Sequence, residues 1–446
     1  MKIRRLYAPW ERLFSKIATP FEHFLHAQTT TGFVLMFMTL VALIIANSPL
    51  YETYEHIIHM TIEFNVGSWK LSHSLHHWIN DGLMAIFFFM VGLEIKREIL
   101  VGELSNLKVA LLPILSAIGG MVLPALIYAW FNHNTPYANG WGIPMATDIA
   151  FAISALVLLG KRVSPALVTF LVALAIVDDL GAVVVIALFY TQQIATTPLI
   201  LAGVVFGMMI IMNRLGIRAV LPYILMGMVL WFFMLESGVH ATIAGVLAAL
   251  TIPSRPKIVP VAFDEEAQQI LDEYKHYPVA TDHVMHEKQK ALLQKLKEKV
   301  DDVLSPALRL ENSLHLPVGL LIIPVFALAN AAIVIDFGSV AQALSSSVAL
   351  GVVSGLLLGK MVGIAGVAYV AIKMKIAQLP QGASMQQLIG VGALGGIGFT
   401  MSIFVSDLAF LGDEHAIFEA KIGILLASLI AGIFGYVWLR FTGERS

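Results

Sequence analysis

Leu174-Ala-Ile-Val-Asp-Asp-Leu-Gly-Ala182 sets two adjacent carboxylates in the middle of an apolar run that extends from about 164 to 190. A spanning helix needs about 20 mostly apolar residues, and this run exceeds that. An ionisable group at the centre of a lone spanning helix costs about 2.5–3.5 kcal/mol on insertion scales. Asp178 and Asp179 therefore point to a helix in lipid whose polar face is sheltered by other helices and put to use. Successive residues on an α-helix point about 100° apart, so the two cannot face one spot equally.

The surrounding chain agrees. It has 446 residues, 58% hydrophobic and only 13% charged, against about 25% charged in an ordinary soluble domain. The net charge of −2 gives no basic excess for nucleic acid. With no cysteine, disulfides, thiol catalysis and cysteine metal sites are excluded. The basic start, Met1-Lys-Ile-Arg-Arg, has no apolar stretch behind it until about Thr31, so no removable signal is expected.

Apolar segments fall at about 31–47, 79–95, 107–131, 141–159, 164–190, 198–213, 219–235, 238–252, 316–335, 346–372, 386–410 and 419–439. The expected fold class is an all-α integral membrane protein of about twelve transmembrane helices, a single transmembrane domain over 1–446. Lys/Arg asymmetry sets the orientation. One set of connections holds Lys2, Arg4, Arg5, Arg12 and Lys16, then Lys96 and Arg97, Lys161 and Arg162, Arg214 and Arg218, Arg255 and Lys257, Lys373 and Lys375, and Arg440 and Arg445. The other set has Lys70, with Lys421 at a helix mouth. Both termini are thus expected in the cytoplasm, which requires an even number of spans. Residues 48–78 lie outside, with a small β-hairpin expected around Val66-Gly67. Residues 254–315 form an extended cytoplasmic loop. Leu292, Leu293, Leu296, Val300, Val303 and Leu304 recur there at helical spacing, as on a surface helix.

More charge sits at membrane depth. Asp148 lies in the fourth span, within Gly142-Ile-Pro-Met-Ala-Thr-Asp, and Lys360 near the middle of the tenth. A pair that merely locks helices needs one Asp and one Lys. Three carboxylates against one ammonium leave an anionic excess that invites a cation or protons. One of the adjacent aspartates can meet Lys360 while the other lines a cavity. Gly142 and Pro144 precede Thr147 and Asp148, and Gly390 to Gly398 packs five glycines into nine residues of the eleventh span. These residues break helices, and broken backbone is tolerated at that depth only beside protein or water. A close-packing glycine face is the alternative reading of the eleventh span.

At these residues the chain resembles the NhaA family of bacterial sodium/proton antiporters. The likeness lies in Ala146-Thr-Asp-Ile-Ala-Phe, Ile176-Val-Asp-Asp-Leu-Gly-Ala, Gly395-Gly-Ile-Gly-Phe-Thr-Met-Ser, Val91-Gly-Leu-Glu-Ile-Lys-Arg-Glu and Ser237-Gly-Val-His-Ala-Thr. It implies a secondary Na+(Li+)/H+ antiporter of the bacterial inner membrane, pH-regulated and electrogenic, with no cofactor and a homodimeric assembly. By the resemblance, Asp179 is the principal Na+ ligand, Asp178 also binds and pairs with Lys360, Asp148 and Lys360 balance the broken-helix ends, and Thr147 lies near the ion. A pH-sensing set maps onto Glu94, Arg97, Glu98, Glu311 and His315, with His240 influencing pH response and Asp81 in an Asn-Asp-Gly motif. Asn312 stands where the family commonly has histidine, so the pH profile can differ. The matching places of the broken spans suggest inverted repeats, spans three to five against ten to twelve. The NhaA fold is itself one of the cases from which that rule is drawn, so it adds no independent weight.

Other readings fare worse. An intramembrane aspartyl protease could use Asp148 with Asp179, but its Gly-x-Gly-Asp motif is absent and Lys360 would disturb a shared proton. A sodium-coupled solute symporter and a non-transporting scaffold remain alternatives. Gly390-x-Gly392-x-x-Gly395 matches a dinucleotide fingerprint but follows no strand. His73, His76 and His77 have metal-capable spacing without an acidic or cysteine partner close by in the sequence; an outside interface is expected instead.

Overall fold

The computed structural model describes residues 28–66, 69–191, 194–277 and 287–443. The basic residues from Lys2 to Lys16, the hairpin turn at Gly67, and Arg445 lie outside the described residues. In chain order come α1 (Gln28–Ala46), α2 (Tyr51–Ile58), β1 (Thr61–Val66), β2 (Trp69–Ser74), α3 (Met84–Leu100) and α4 (Leu107–Asn132). Then follow α5 (Ile149–Val157), α6 (Pro165–Phe189), α7 (Thr196–Arg214), α8 (Val220–Glu236), α9 (Thr242–Thr251), α10 (Pro260–His276) and α11 (Glu287–Val303). The chain continues through α12 (Pro306–Pro317), α13 (Ile323–Asn330), α14 (Phe337–Leu344), α15 (Ser347–Ser354), α16 (Lys360–Lys373), α17 (Met385–Leu394), α18 (Phe399–Ala409) and α19 (Glu414–Thr442).

The helices present grease outward. Phe37 is 62% exposed, Leu188 71% and Phe441 83%. Water would tolerate no such surface, because soluble monomers rarely expose apolar patches beyond a few hundred Å². Among the described residues seven helices are long and apolar enough to cross a membrane, or nine if each bent pair is one span. The chain is an all-α membrane protein, with one two-stranded sheet among the described residues. In that sheet Thr61 faces Ser74 and Val66 faces Trp69, so the hairpin is longer than the turn-centred stretch the sequence suggested. The surface helix expected near 292–304 is α11; α10 was not anticipated.

By contact density the chain divides into two compact units. The first draws on 1–87, 98–192 and 316–446. In it α4 crosses α16 so closely that a Cβ added at Gly119 would lie 2.4 Å from the Gly363 carbonyl oxygen. α6 is capped at its start by Ser164, with Pro165 in the first turn, a favoured pairing at helix N-termini. Besides the 114° bend between α1 and α2, two stretches here are interrupted. Ala138–Met145 is a 3-10 stretch that passes through extended backbone at Ala146 and Asp148 before α5. α17 and α18 meet at a 49° bend. One extra residue per turn loosens the helix at Gly355–Gly359, immediately before Lys360; such π turns are frequent at functional sites.

The second unit draws on 88–97 and 193–315. Leu93, Met209, Leu230, Ala249 and Ile252 form its core with Ala307 and Leu310. Lys257 donates to Asp302 at 2.7 Å and holds that carboxyl below the usual carboxylate range.

Candidate functional site

The two helix breaks lie against each other within the first unit. The Asp148 backbone N–H donates to the Ile397 carbonyl at 2.7 Å, and the Thr147 hydroxyl donates to the Gly395 carbonyl at 2.8 Å. Ser402 donates to the Ile143 carbonyl at 2.8 Å. Each break thus satisfies backbone groups that the other exposes, which is how non-helical chain persists away from water. The Gly395 and Ile397 carbonyls are thereby engaged and are not free to coordinate a cation.

Asp148 is the N-cap of α5, where one oxygen accepts from the Phe151 N–H at 3.1 Å. Its other oxygen accepts from the Thr400 N–H at 3.1 Å and the Thr400 hydroxyl at 2.5 Å, at the start of α18. One carboxylate therefore serves the positive ends of two half-helices, each worth about 0.3–1 kcal/mol or more when sheltered. Its oxygens are so committed that a proton-sharing dyad with Asp179 has no support.

Asp178 and Asp179 lie thirteen and fourteen residues into α6, about 20 Å from its start at 1.5 Å per residue. Lys360 is the central residue of the Ser347–Lys373 span. Equal depth brings them together: Lys360 Nζ donates to Asp178 Oδ2 at 2.5 Å, with neither side chain exposed. Thr147 lies beside Asp178. Asp179 is 1% exposed, as is Asp178. The expected cavity-lining position of one aspartate is thus closed to solvent in this conformation.

The glycines of the eleventh span serve both readings. The bend falls at Gly395–Gly398, yet Gly392 would place a Cβ 3.0 Å from the Met361 carbonyl and Gly396 one 2.5 Å from that of Leu356. Small residues there let α17 and the bend sit on the backbone carrying Lys360.

The remaining candidates are dispersed. Arg97 Nε meets Glu311 at 2.9 Å in the second unit. Glu94 lies one turn earlier on α3, half-buried. Glu98 accepts from the Glu103 N–H at 3.0 Å. His315 is exposed at the end of α12, as is Asn312. His240 precedes α9, whose far end is held by Lys96 through the Leu250 carbonyl at 2.7 Å and the Ile252 carbonyl. The ten-residue α9 thus separates His240 from Lys96 by about 15 Å. Asp81 lies 3.2 Å from His77. His73 stacks on His77 and His76 bonds to Asn330, while no group of three or more potential metal-binding His, Cys, Asp or Glu side chains occurs among the described residues. Sequence reasoning missed Thr400 as a holder of Asp148. A hydroxyl in an apolar run carries no signal by itself, although Thr400 lies within the quoted Gly395–Ser402 motif.

Comparison with known proteins gives the chain's family. Residues 22–439 match the profile of the family described as Na+/H+ antiporter 1. The Na+/H+ antiporter NhaA of Sulfurimonas denitrificans is 63% identical over 442 residues, covering 99% of this chain and 100% of the relative. The Na+/H+ antiporter NhaA 1 of Saccharophagus degradans is 51% identical, covering 98% and 95%. The NhaA antiporter of Dichelobacter nodosus is 49% identical, covering 97% and 94%. By profile and by near-full-length identity, the chain belongs to the Na+/H+ antiporter 1 family.

Proposed function

We propose that this chain is a secondary antiporter that expels Na+ (and Li+) in exchange for protons across the bacterial inner membrane, a transporter and not an enzyme. The observation that carries the reading is the set of three carboxylates and one ammonium buried in one unit, 0–2% exposed. Asp148 is occupied with helix ends and Lys360 neutralises one charge. That leaves the Asp178–Asp179 pair as the place where a cation is wanted, with Asp179 as principal ligand and Thr147 beside it. Hard oxygen donors suit Na+ and Li+.

Coupling follows from competition. When the pair faces the cytoplasm and is deprotonated, it takes a dehydrating Na+. Protonation removes the oxygen charge that held the ion, so ion and proton exclude each other. Binding of either shifts the balance between inward- and outward-facing states. The closed carboxylates require such a rearrangement before an ion reaches them. If Lys360 or the second carboxylate also gives up a proton, each cycle moves net charge. The membrane potential then assists export by about 2.3 kcal/mol per charge per 100 mV.

The finer topology belongs to the same proposal: one transporter domain of twelve spans, inverted repeats joining spans three to five with ten to twelve, and both termini in the cytoplasm. The Lys/Arg bias supports the orientation, and the paired breaks support the repeats. Glu94, Arg97, Glu98, Glu311, His315 and His240 adjust the response to pH, with the Arg97–Glu311 pair the best supported. A homodimer in contact with lipid accords with the hairpin, whose outer edge could pair with a second copy. The test is exchange in reconstituted vesicles. Asp179→Asn should abolish the Na+-driven ΔpH response, and wild-type-like exchange by that variant would end the site assignment.

A further inference from the structure

Half-helix α18 carries polar groups at both ends. At its start Thr400 holds Asp148. Seven residues on, about 10 Å along the axis, Asp407 faces Lys421 of α19, with Nζ 3.2 Å from Oδ1 and side-chain exposures of 12% and 14%. Both Asp407 carboxylate oxygens are buried and accept no hydrogen bond. His76 lies within electrostatic reach of Asp407 and Lys421, and its ring is 6.1 Å from that of His59. His76 Nε2 donates to Asn330 Oδ1 at 2.9 Å, and Asn330 in turn donates to Asn80 at 2.9 Å. The mid-depth mechanism uses none of these groups.

A lock between α18 and α19 is the simplest role for such a pair. A sheltered ion pair locks well only when its remaining lone pairs are satisfied by hydrogen bonds, and here they are left open. The arrangement is a poor clasp and a good resting place for a small cation. Resting on the antiport reading, we propose that Asp407 is a second station for the transported cation, on the face opposite the arginine-rich connections, where Na+ and the Lys421 ammonium compete for one carboxylate. The lysine keeps the station shallow. A site on a conduction path must bind strongly enough to be entered and weakly enough to be left. Na+ released at mid-depth would move along α18 to Asp407 and be displaced by Lys421 as that side chain returns.

The test measures half-saturating Na+ separately at each face of oriented proteoliposomes, at one fixed pH. Asp407→Asn should raise it about tenfold at the face opposite the cytoplasm, the effect of one partly screened charge near a cation, and the shift should be confined to that face. Lys421→Met should move it the other way at the same face, and Asp407→Glu should restore the wild-type value. A structural clasp would lower the rate from both faces alike and give both substitutions the same sign. That outcome, or no shift in either variant, overturns the proposal. Should Asp407→Asn fail to accumulate, the opposite-sign shift in Lys421→Met and the restored value in Asp407→Glu decide it. Loss of exchange in the unmodified protein would instead remove the antiport reading.

Discussion

Lys360 and Asp178 form a fully buried ion pair, and at the residue scale their partnership is a matter of depth. Each stands near the centre of its own span, so neither can reach water by extending its side chain. Removing one partner of a buried pair costs about 3–5 kcal/mol because the other charge is left bare. Lys360→Met should therefore destabilise the detergent-solubilised protein by that amount. The double variant Lys360→Met with Asp178→Asn should recover most of it, as thermal unfolding of all four proteins would reveal. Strict additivity of the two changes would mean that the 2.5 Å contact carries no energetic coupling. Asp178, Asp179, Asp148 and Lys360 were legible in the sequence because a charge in an apolar run stands out. Thr400 and Ser402 were not, and Asp407, a charge near the end of the segment at 386–410, was passed over. Hydroxyls disappear among apolar residues, and the partnership of Asp407 with Lys421 exists only once α18 and α19 are laid side by side.

At the scale of elements, breaks and close approaches decide where those side chains arrive. Proline at 144 and the glycines at 395–398 marked both interruptions in advance, since each weakens a continuous helix. What could not be read was that the two breaks complete each other, Asp148 to Ile397 and Thr147 to Gly395. The π turn before Lys360 was equally silent, because one extra residue in a turn leaves no mark in composition. The tenth span depends on glycine for a different reason. Gly363 and Gly119 let two backbones touch, and a Cβ at Gly363 would meet the Gly119 oxygen at 2.3 Å. Overpacking costs about 1–3 kcal/mol where neighbours can yield, and backbone cannot. Gly363→Leu should lower the melting temperature and reduce exchange together, since it displaces the helix that carries Lys360. Gly203→Leu, where nothing lies within 4 Å, is the matched control and should leave both unchanged.

For the whole molecule, apolar composition made the membrane character legible, and the exposed apolar faces carry it into three dimensions. The number of spans is harder to read, because α8 and α9 are short and several spans are interrupted. A helix that is broken for function ceases to look like a spanning segment. The closed state of Asp178 and Asp179 was also hidden, since sequence reports which groups are at depth and not when water reaches them. Everything in the proposed cycle turns on Na+ and H+ contending for these oxygens. The most direct measurement is the Na+ dissociation constant of the purified protein across a pH series. Competition predicts that below the carboxylates' working range it rises about tenfold per pH unit for each proton displaced, and that Asp179→Asn removes the slope. A dissociation constant that stays level as the pH falls would contradict it.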